Sequence, residues 1–325
     1  MAQETTLDAY QALRSGDVDR ATSILLVRVA QNDPQAMMLL SDMYMFGQGV
    51  ERDVIQAVTL IQDSAKLGYI PAQHSMAWFF IKGQYFDQDL ERGLEILTYI
   101  ADSGYPPAQH DVGMMYAFGD YYAEDISRGL DYLEKAAEQG VSNALLTLAV
   151  LYSQDSRVVS DGNKALLYNR RAAEGGNPRG YFNIGVMYDK AQSVPMDLWA
   201  AAYWYEKAAE LGVLEAAVNL GALYFNGRGV PRDLEKTKHW YQFAAERGDP
   251  MALSNLGQMY ANGDGFEKNL NVALKLYFLS QASGGSGVEG VIENLVASLP
   301  ADAVERAREQ ASECQKRNYQ GCIIE

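Results

Sequence analysis

One 36-residue period governs this chain. Laid against itself at that offset, the sequence holds a single register from about residue 17 to residue 284, with no insertion or deletion. Asp17, Asp53, Asp89, Asp125, Asp161, Asp197 and Asp233 fall in one column, which Asn269 completes. Asn32 heads a second column, continued by Gly68, Gly104, Gly140, Gly176, Gly212, Gly248 and Gly284, and a third runs Tyr44, Phe80, Tyr116, Tyr152, Tyr188, Tyr224, Tyr260. A fixed period of roughly 20–50 residues marks stacked units, none of which buries its apolar face alone. The 325 residues, which by length suggest two globular domains, therefore read as one quasi-linear array.

The sixth unit, residues 214–249, shows how each is built. Ala217, Leu220, Gly221 and Tyr224 follow the i, i+3, i+4, i+7 spacing of one helical face. Gly227-Arg228-Gly229-Val230-Pro231 stops that helix, because glycine accepts the positive φ of a C-terminal cap and proline cannot continue a helix. Asp233 is placed to cap a second helix, its carboxylate accepting from free amides of the first turn. Trp240, Tyr241, Ala244 and Ala245 supply that helix's buried face, and Gly248 ends it. Small residues at Ser41, Ala77, Gly113, Ala149, Gly185, Gly221 and Gly257 let the paired helices approach closely. Each unit is thus an antiparallel helix pair.

The composite pattern A-x3-LG-x-x-Y-x-x-G-x-G-V-x-x-D-x-x-x-A-x-x-WY-x-x-AAE-x-G resembles the Sel1-like repeat, a relative of the tetratricopeptide repeat. It covers seven units, at residues 34–69, 70–105, 106–141, 142–177, 178–213, 214–249 and 250–285. The resemblance implies an all-α protein, a right-handed α-solenoid (superhelix) of antiparallel helix pairs. A partial repeat over residues 1–33 caps one end, and residues 286–325 cap the other with two helices, over 288–299 and from Pro300 to about Lys316. The sequence departs from the pattern in the loops. Tyr85-Phe86, Tyr121-Tyr122, Arg157-Val158 and Ser193-Val194 replace the glycine-valine pair, with an apolar or aromatic plug kept at the valine position.

The two cysteines, Cys314 and Cys322, flank the end of the last helix and a glycine-containing turn. They can close a disulfide, and the tail resembles the cysteine-paired C-terminus of exported bacterial members of the family. Two reduced thiols in a cytosolic protein are the alternative. With 27 basic against 42 acidic residues, the net charge of -15 repels a phosphate backbone, so nucleic acid and anionic membranes are not expected partners. No stretch approaches the roughly 20 apolar residues of a membrane span. The first residues lack the basic and apolar regions of a signal peptide, although Ala2-Gln3-Glu4 behind an added Met would suit a trimmed secreted N-terminus. A periplasmic or secreted location is the first expectation and a cytoplasmic one the alternative.

Catalytic chemistry has little to work with. The three histidines are His74, His110 and His239, and no H-E-x-x-H, C-x-x-C, G-x-S-x-G or P-loop occurs. Residues 285–290 formally match G-x-G-x-x-G, yet they follow a helix rather than a strand and read as a linker. His74 and His110 lie near Met38 and Met114, a soft-ligand combination suited to copper. Their shared Pro-Ala-Gln-His setting makes them copies of one repeat instead. No enzyme activity, cofactor or metal is expected.

In tetratricopeptide-like stacks the first helix of each pair lines the concave groove, and the resemblance implies the same arrangement. The groove positions then include Met38, Met45, His74, Trp78, Ile81, His110, Met114, Phe118, Val150, Phe182, Val186 and Phe225. Such a strip of methionine and aromatic anchors suits a peptide or protein partner, and the acidic exterior favours a basic one. The expected function is a non-enzymatic interaction scaffold or adaptor in the bacterial envelope. The alternatives are an immunity-type or assembly protein that wraps one partner and, from another class, a β-lactam-binding or hydrolysing enzyme. The last is disfavoured because its relatives carry a disulfide in every repeat.

Overall fold

The computed structural model describes residues 4–323. Residues 1–3, on which the reading of a trimmed N-terminus falls, and residues 324–325 lie outside them. The described chain runs through helices α1 (Thr6–Ser15), α2 (Val18–Ala30), α3 (Pro34–Phe46), α4 (Val54–Lys66), α5 (Ile70–Lys82), α6 (Leu90–Asp102), α7 (Pro106–Phe118), α8 (Ile126–Glu138) and α9 (Ser142–Gln154). It continues through α10 (Gly162–Glu174), α11 (Arg179–Lys190), α12 (Leu198–Glu210), α13 (Leu214–Asn226), α14 (Leu234–Ala245), α15 (Pro250–Asn262), α16 (Leu270–Ala282), α17 (Glu289–Ser298) and α18 (Ala301–Lys316). Two compact units, Met1–Ala144 and Leu145–Glu325, divide this series inside the fourth repeat.

The repeat columns have the local roles their chemistry dictates. Asp53, Asp89, Asp125 and Asp233 each accept a backbone N–H three residues on, at 2.9–3.1 Å, and begin α4, α6, α8 and α14. Such a cap is worth about 1 kcal/mol. The glycines that end the second helices take φ from 77° to 95°, a region L side chains avoid. Close helix pairing explains the small column. A Cβ on Gly221 would stand 2.5 Å from the ring of Tyr241, which is buried.

The loops keep their conformation where the glycine-valine pair is missing. Tyr85 (φ 68°), Tyr121 (φ 67°) and Ser193 (φ 59°) adopt the left-handed backbone of Gly49 (71°), Gly229 (73°) and Gly265 (71°). The plug survives as ring contacts, Tyr122 stacking on Tyr116 at 4.4 Å and Phe266 on Tyr260 at 4.0 Å. The fourth repeat differs. Arg157 is not left-handed there, and its guanidinium and backbone N–H both bond to Asp155.

At the C-terminus, α17 and α18 pack on α16, as a cap requires. Cys314 and Cys322 are disulfide-bonded, with Cα atoms 5.6 Å apart. The tail is bound down beyond that bond. The Lys275 ammonium, almost fully buried, donates to the Cys322 carbonyl at 2.9 Å, and the Tyr319 and Ser283 hydroxyls bond at 2.7 Å. Among the described residues no helix is long and apolar enough to cross a membrane.

Candidate partner-binding face

In the first unit, α5 and α7 bring His74, Trp78, His110 and Asp111 to one place. Each helix opens on a proline in its first turn, and a histidine follows three residues after Pro71 and Pro107. His74 Nε2 and Trp78 Nε1 both reach Asp111 Oδ2, at 2.9 and 2.8 Å, while His110 Nδ1 lies 3.1 Å from Asp111 Oδ1. Burial of Asp111 works against its ionisation, but the donors from His110, His74 and Trp78 outweigh it and hold the carboxyl well below the usual range. The carboxylate is therefore charged and engaged at both oxygens, and it fixes the orientation of both imidazoles and the indole.

Beside it, the Lys82 ammonium lies 5.3 Å from the Trp78 ring centroid and 5.5 Å from that of Tyr121, and donates to the Tyr121 hydroxyl at 2.9 Å. Trp78, Lys82, His110, Asp111, Met114 and Tyr121 surround an open pocket of about 520 Å³. Neighbouring positions extend this face. Phe46 is 69% exposed and Phe118 43%, and the Tyr85 hydroxyl donates to the Met45 sulfur at 3.7 Å. Loops 47–53, 83–89 and 119–125 hold seven carboxylates (Glu51, Asp53, Asp87, Asp89, Asp120, Glu124, Asp125) and one cation, Arg52. The first unit's loops are thus strongly acidic.

The expected groove residues separate into groups. His74, Trp78, His110, Met114 and Phe118 share the α5–α7 surface, and Met45 meets Tyr85. Met38 is half-buried against Ile61, Ala72, Met76 and Phe80. Ile81 is a correction: it is fully buried in the core, because its position faces the close approach of Gly93 on α6, where an added Cβ would stand 2.6 Å from Ile81 Cγ1. In the second unit Val150 is 44% exposed, while Phe182, Val186 and Phe225 are half-buried against that unit's own core. The exposed aromatic surface on first helices is thus concentrated in the first unit.

Sequence reasoning did not single out Asp111, and it marked Tyr85 and Tyr121 only as departures from the loop pattern, not as candidate site residues. The signal for Asp111 is its column, Leu39, Ser75, Asp111, Thr147, Asn183, Asn219 and Asn255, in which it is the one carboxylate. For the tyrosines the signal is a bulky residue where the loop needs positive φ. A non-glycine residue held there costs of order 1–3 kcal/mol and points to a use for the side chain. Among the described residues no group of three or more His, Cys, Asp or Glu side chains is placed to hold a metal ion.

Comparison with known proteins agrees with this architecture. The Sel1 repeat matches residues 34–69, 70–105, 106–141, 142–177, 178–213, 214–249 and 250–280. Among solved structures, a protective antigen of uropathogenic Escherichia coli strains displaying an SLR fold is 24% identical, with a TM-score of 0.71 over 89% of this chain. The chain spans 63% of the length of that antigen. A Sel1 repeat protein from Oxalobacter formigenes is 26% identical, with a TM-score of 0.67 over 90% of this chain and 88% of its own. An immunity protein of Pseudomonas aeruginosa, at a TM-score of 0.42, is too distant to carry an inference. No curated protein matches the sequence. With seven repeats matched over most of its length, and helix pairs throughout, this chain is a member of the Sel1 repeat family of α-solenoids.

Proposed function

We propose that this protein is a non-enzymatic interaction scaffold, and that the first-helix face of residues 34–141 is its contact surface for a protein or peptide partner. Sel1 repeat proteins are commonly protein–protein interaction scaffolds, which supports the class. The observation that carries the site is the pair Tyr85 and Tyr121. Both hold left-handed backbone that glycine would adopt without cost, and both deliver an aromatic hydroxyl onto the first-helix face. Trp78 and Phe118 add rigid aromatic surface, the kind of anchor that dominates binding energy at interfaces. The acidic loops beside this face support a partner that places basic residues next to an apolar or aromatic anchor. The disulfide of the C-terminal tail supports a periplasmic or secreted location, where such bonds persist.

The test is affinity capture from the native source with the intact protein, the Trp78→Asp/Phe118→Asp double variant, and Tyr99→Asp as a control on α6. Loss of a specific partner in the double variant alone supports the assignment. Retention of that partner by the double variant removes this face from consideration.

A further inference from the structure

The first unit holds a second pocket, away from the face just described. It measures about 690 Å³ and lies between α4 and α6, floored by Met76, Phe80, Phe86 and Ile96. Its origin is in the repeat columns. The position of Ile96 holds Tyr132 and Tyr168 in the next two repeats and Trp204 and Trp240 in the two after those. Tyr132 lies parallel to the ring of Tyr116 at 6.2 Å, and Tyr168 lies against Tyr152 at 6.0 Å. In the second repeat the equivalent first-helix ring, Phe80, keeps the loop ring of Phe86 at 5.6 Å but meets an isoleucine instead of a ring at the second-helix position, and space for one aromatic side chain is left open.

The cations around that space have lost their usual acceptors as well. Arg128 lies over the Tyr116 ring and hydrogen-bonds Tyr132; Lys164 and Lys236 lie over Tyr152 and Tyr224 and donate to their hydroxyls at 3.1 and 3.2 Å. Arg92 occupies the same position over Phe80, its guanidinium carbon 4.4 Å from the ring centroid, where neither Phe80 nor Ile96 offers an oxygen. Among the described residues no carboxylate pairs with it. The partner of the missing hydroxyl is inverted too. Tyr132 donates to Asp102, and the residue 36 positions earlier is Lys66, which lines the pocket and makes only an exposed pair with Asp63. A ring seated as Tyr132 is seated would therefore direct its polar end toward two cations, Lys66 and Arg92, against the one carboxylate of the lining, Glu95.

We propose that this pocket is a binding site for a small aryl carboxylate, the ring filling the place of the absent Tyr side chain beside Phe80 and the carboxylate pairing with Arg92 and Lys66. The volume falls within the range of small-molecule sites, and the apolar floor with two convergent cations is the usual division between affinity and orientation. A neutral ring forgoes the charge-assisted bonds, which are roughly twice as strong as neutral ones. The site is independent of the scaffold assignment, because its residues belong to the α4–α6 surface.

The test is calorimetric titration of the full chain with 2-naphthoate and with 2-naphthamide as the neutral analogue. The expected result is binding of the acid at least tenfold tighter than of the amide. Ile96→Tyr, which restores the residue of the next repeat, should abolish acid binding while leaving the helical circular dichroism unchanged. Arg92→Gln, an exposed change that the fold tolerates, should weaken the acid at least fivefold and leave the amide unchanged. Equal affinities for acid and amide, or naphthoate binding unaltered by both substitutions, would overturn the proposal.

Discussion

Replacing Tyr121 with glycine separates stability from recognition at one position. Tyr121 is 42% exposed and sits at φ 67°, beside glycines of other repeats at 71–73°. Relief of the left-handed backbone returns about 1–2 kcal/mol. Against this, the greater freedom of glycine in the unfolded chain costs about 0.5–1 kcal/mol, and the exposed cation–π contact with Lys82 is worth about 0.5–1 kcal/mol. The three nearly cancel, so Tyr121→Gly should unfold within about 1 kcal/mol of the parent, a shift of roughly 2–4 °C. Partner capture should fall sharply all the same, and further in the Tyr85→Gly/Tyr121→Gly double variant. Urea and thermal unfolding read the first effect, and capture from the native source reads the second. A stability loss above about 2 kcal/mol would show that the tyrosine is a packing element of the loop, and the strain argument for a binding role would fail.

Other outcomes follow from the same contacts. Gly221→Ala should destabilise by about 1–3 kcal/mol in urea, since its Cβ meets the buried Tyr241 ring, and Tyr241→Leu, which recreates the buried Ala77–Leu97 pair of the second repeat, should restore part of the loss. Asp111→Leu should cost about 1–3 kcal/mol by orphaning the Trp78 indole and both imidazoles. Because the Asp111 carboxyl titrates below its unfolded value, its contribution is complete above the ordinary carboxylate range near pH 4 and is lost only as pH falls below it. The stability advantage of the parent over Asp111→Asn should therefore shrink as pH falls below about 4. Cys314→Ser should weaken the C-terminal cap by about 2–3 kcal/mol, from the closure entropy of a loop spanning 8 residues, measured as faster proteolysis of the tail.

The periodic part of the fold is legible in the sequence because each column answers one local demand. Asp89 and Asp233 must satisfy the free amides of a helix start, and Gly104 must take a φ that L side chains avoid. The same demand works where the residue disagrees with the column, since Tyr85, Tyr121 and Ser193 are held left-handed by the loops around them. The candidate site is less legible because it is made between repeats. Asp111 reaches His74 and Trp78 across 37 and 33 residues, and a column comparison treats those positions separately. The burial of Ile81 is hard to read for a related reason: whether a first-helix position faces outward or meets a second helix depends on how closely Gly93 lets the helices approach.

The central claim is tested most directly by where a bound partner touches the molecule. A photo-crosslinking amino acid at Phe118 marks the first-helix face, and one at Ile55, 82% exposed on α4, marks a second helix. Irradiation in the native organism should give a discrete adduct from position 118 that disappears in the Trp78→Asp background, and none from position 55. An adduct from position 55 alone, or a position-118 adduct indifferent to Trp78→Asp, would contradict binding through this face.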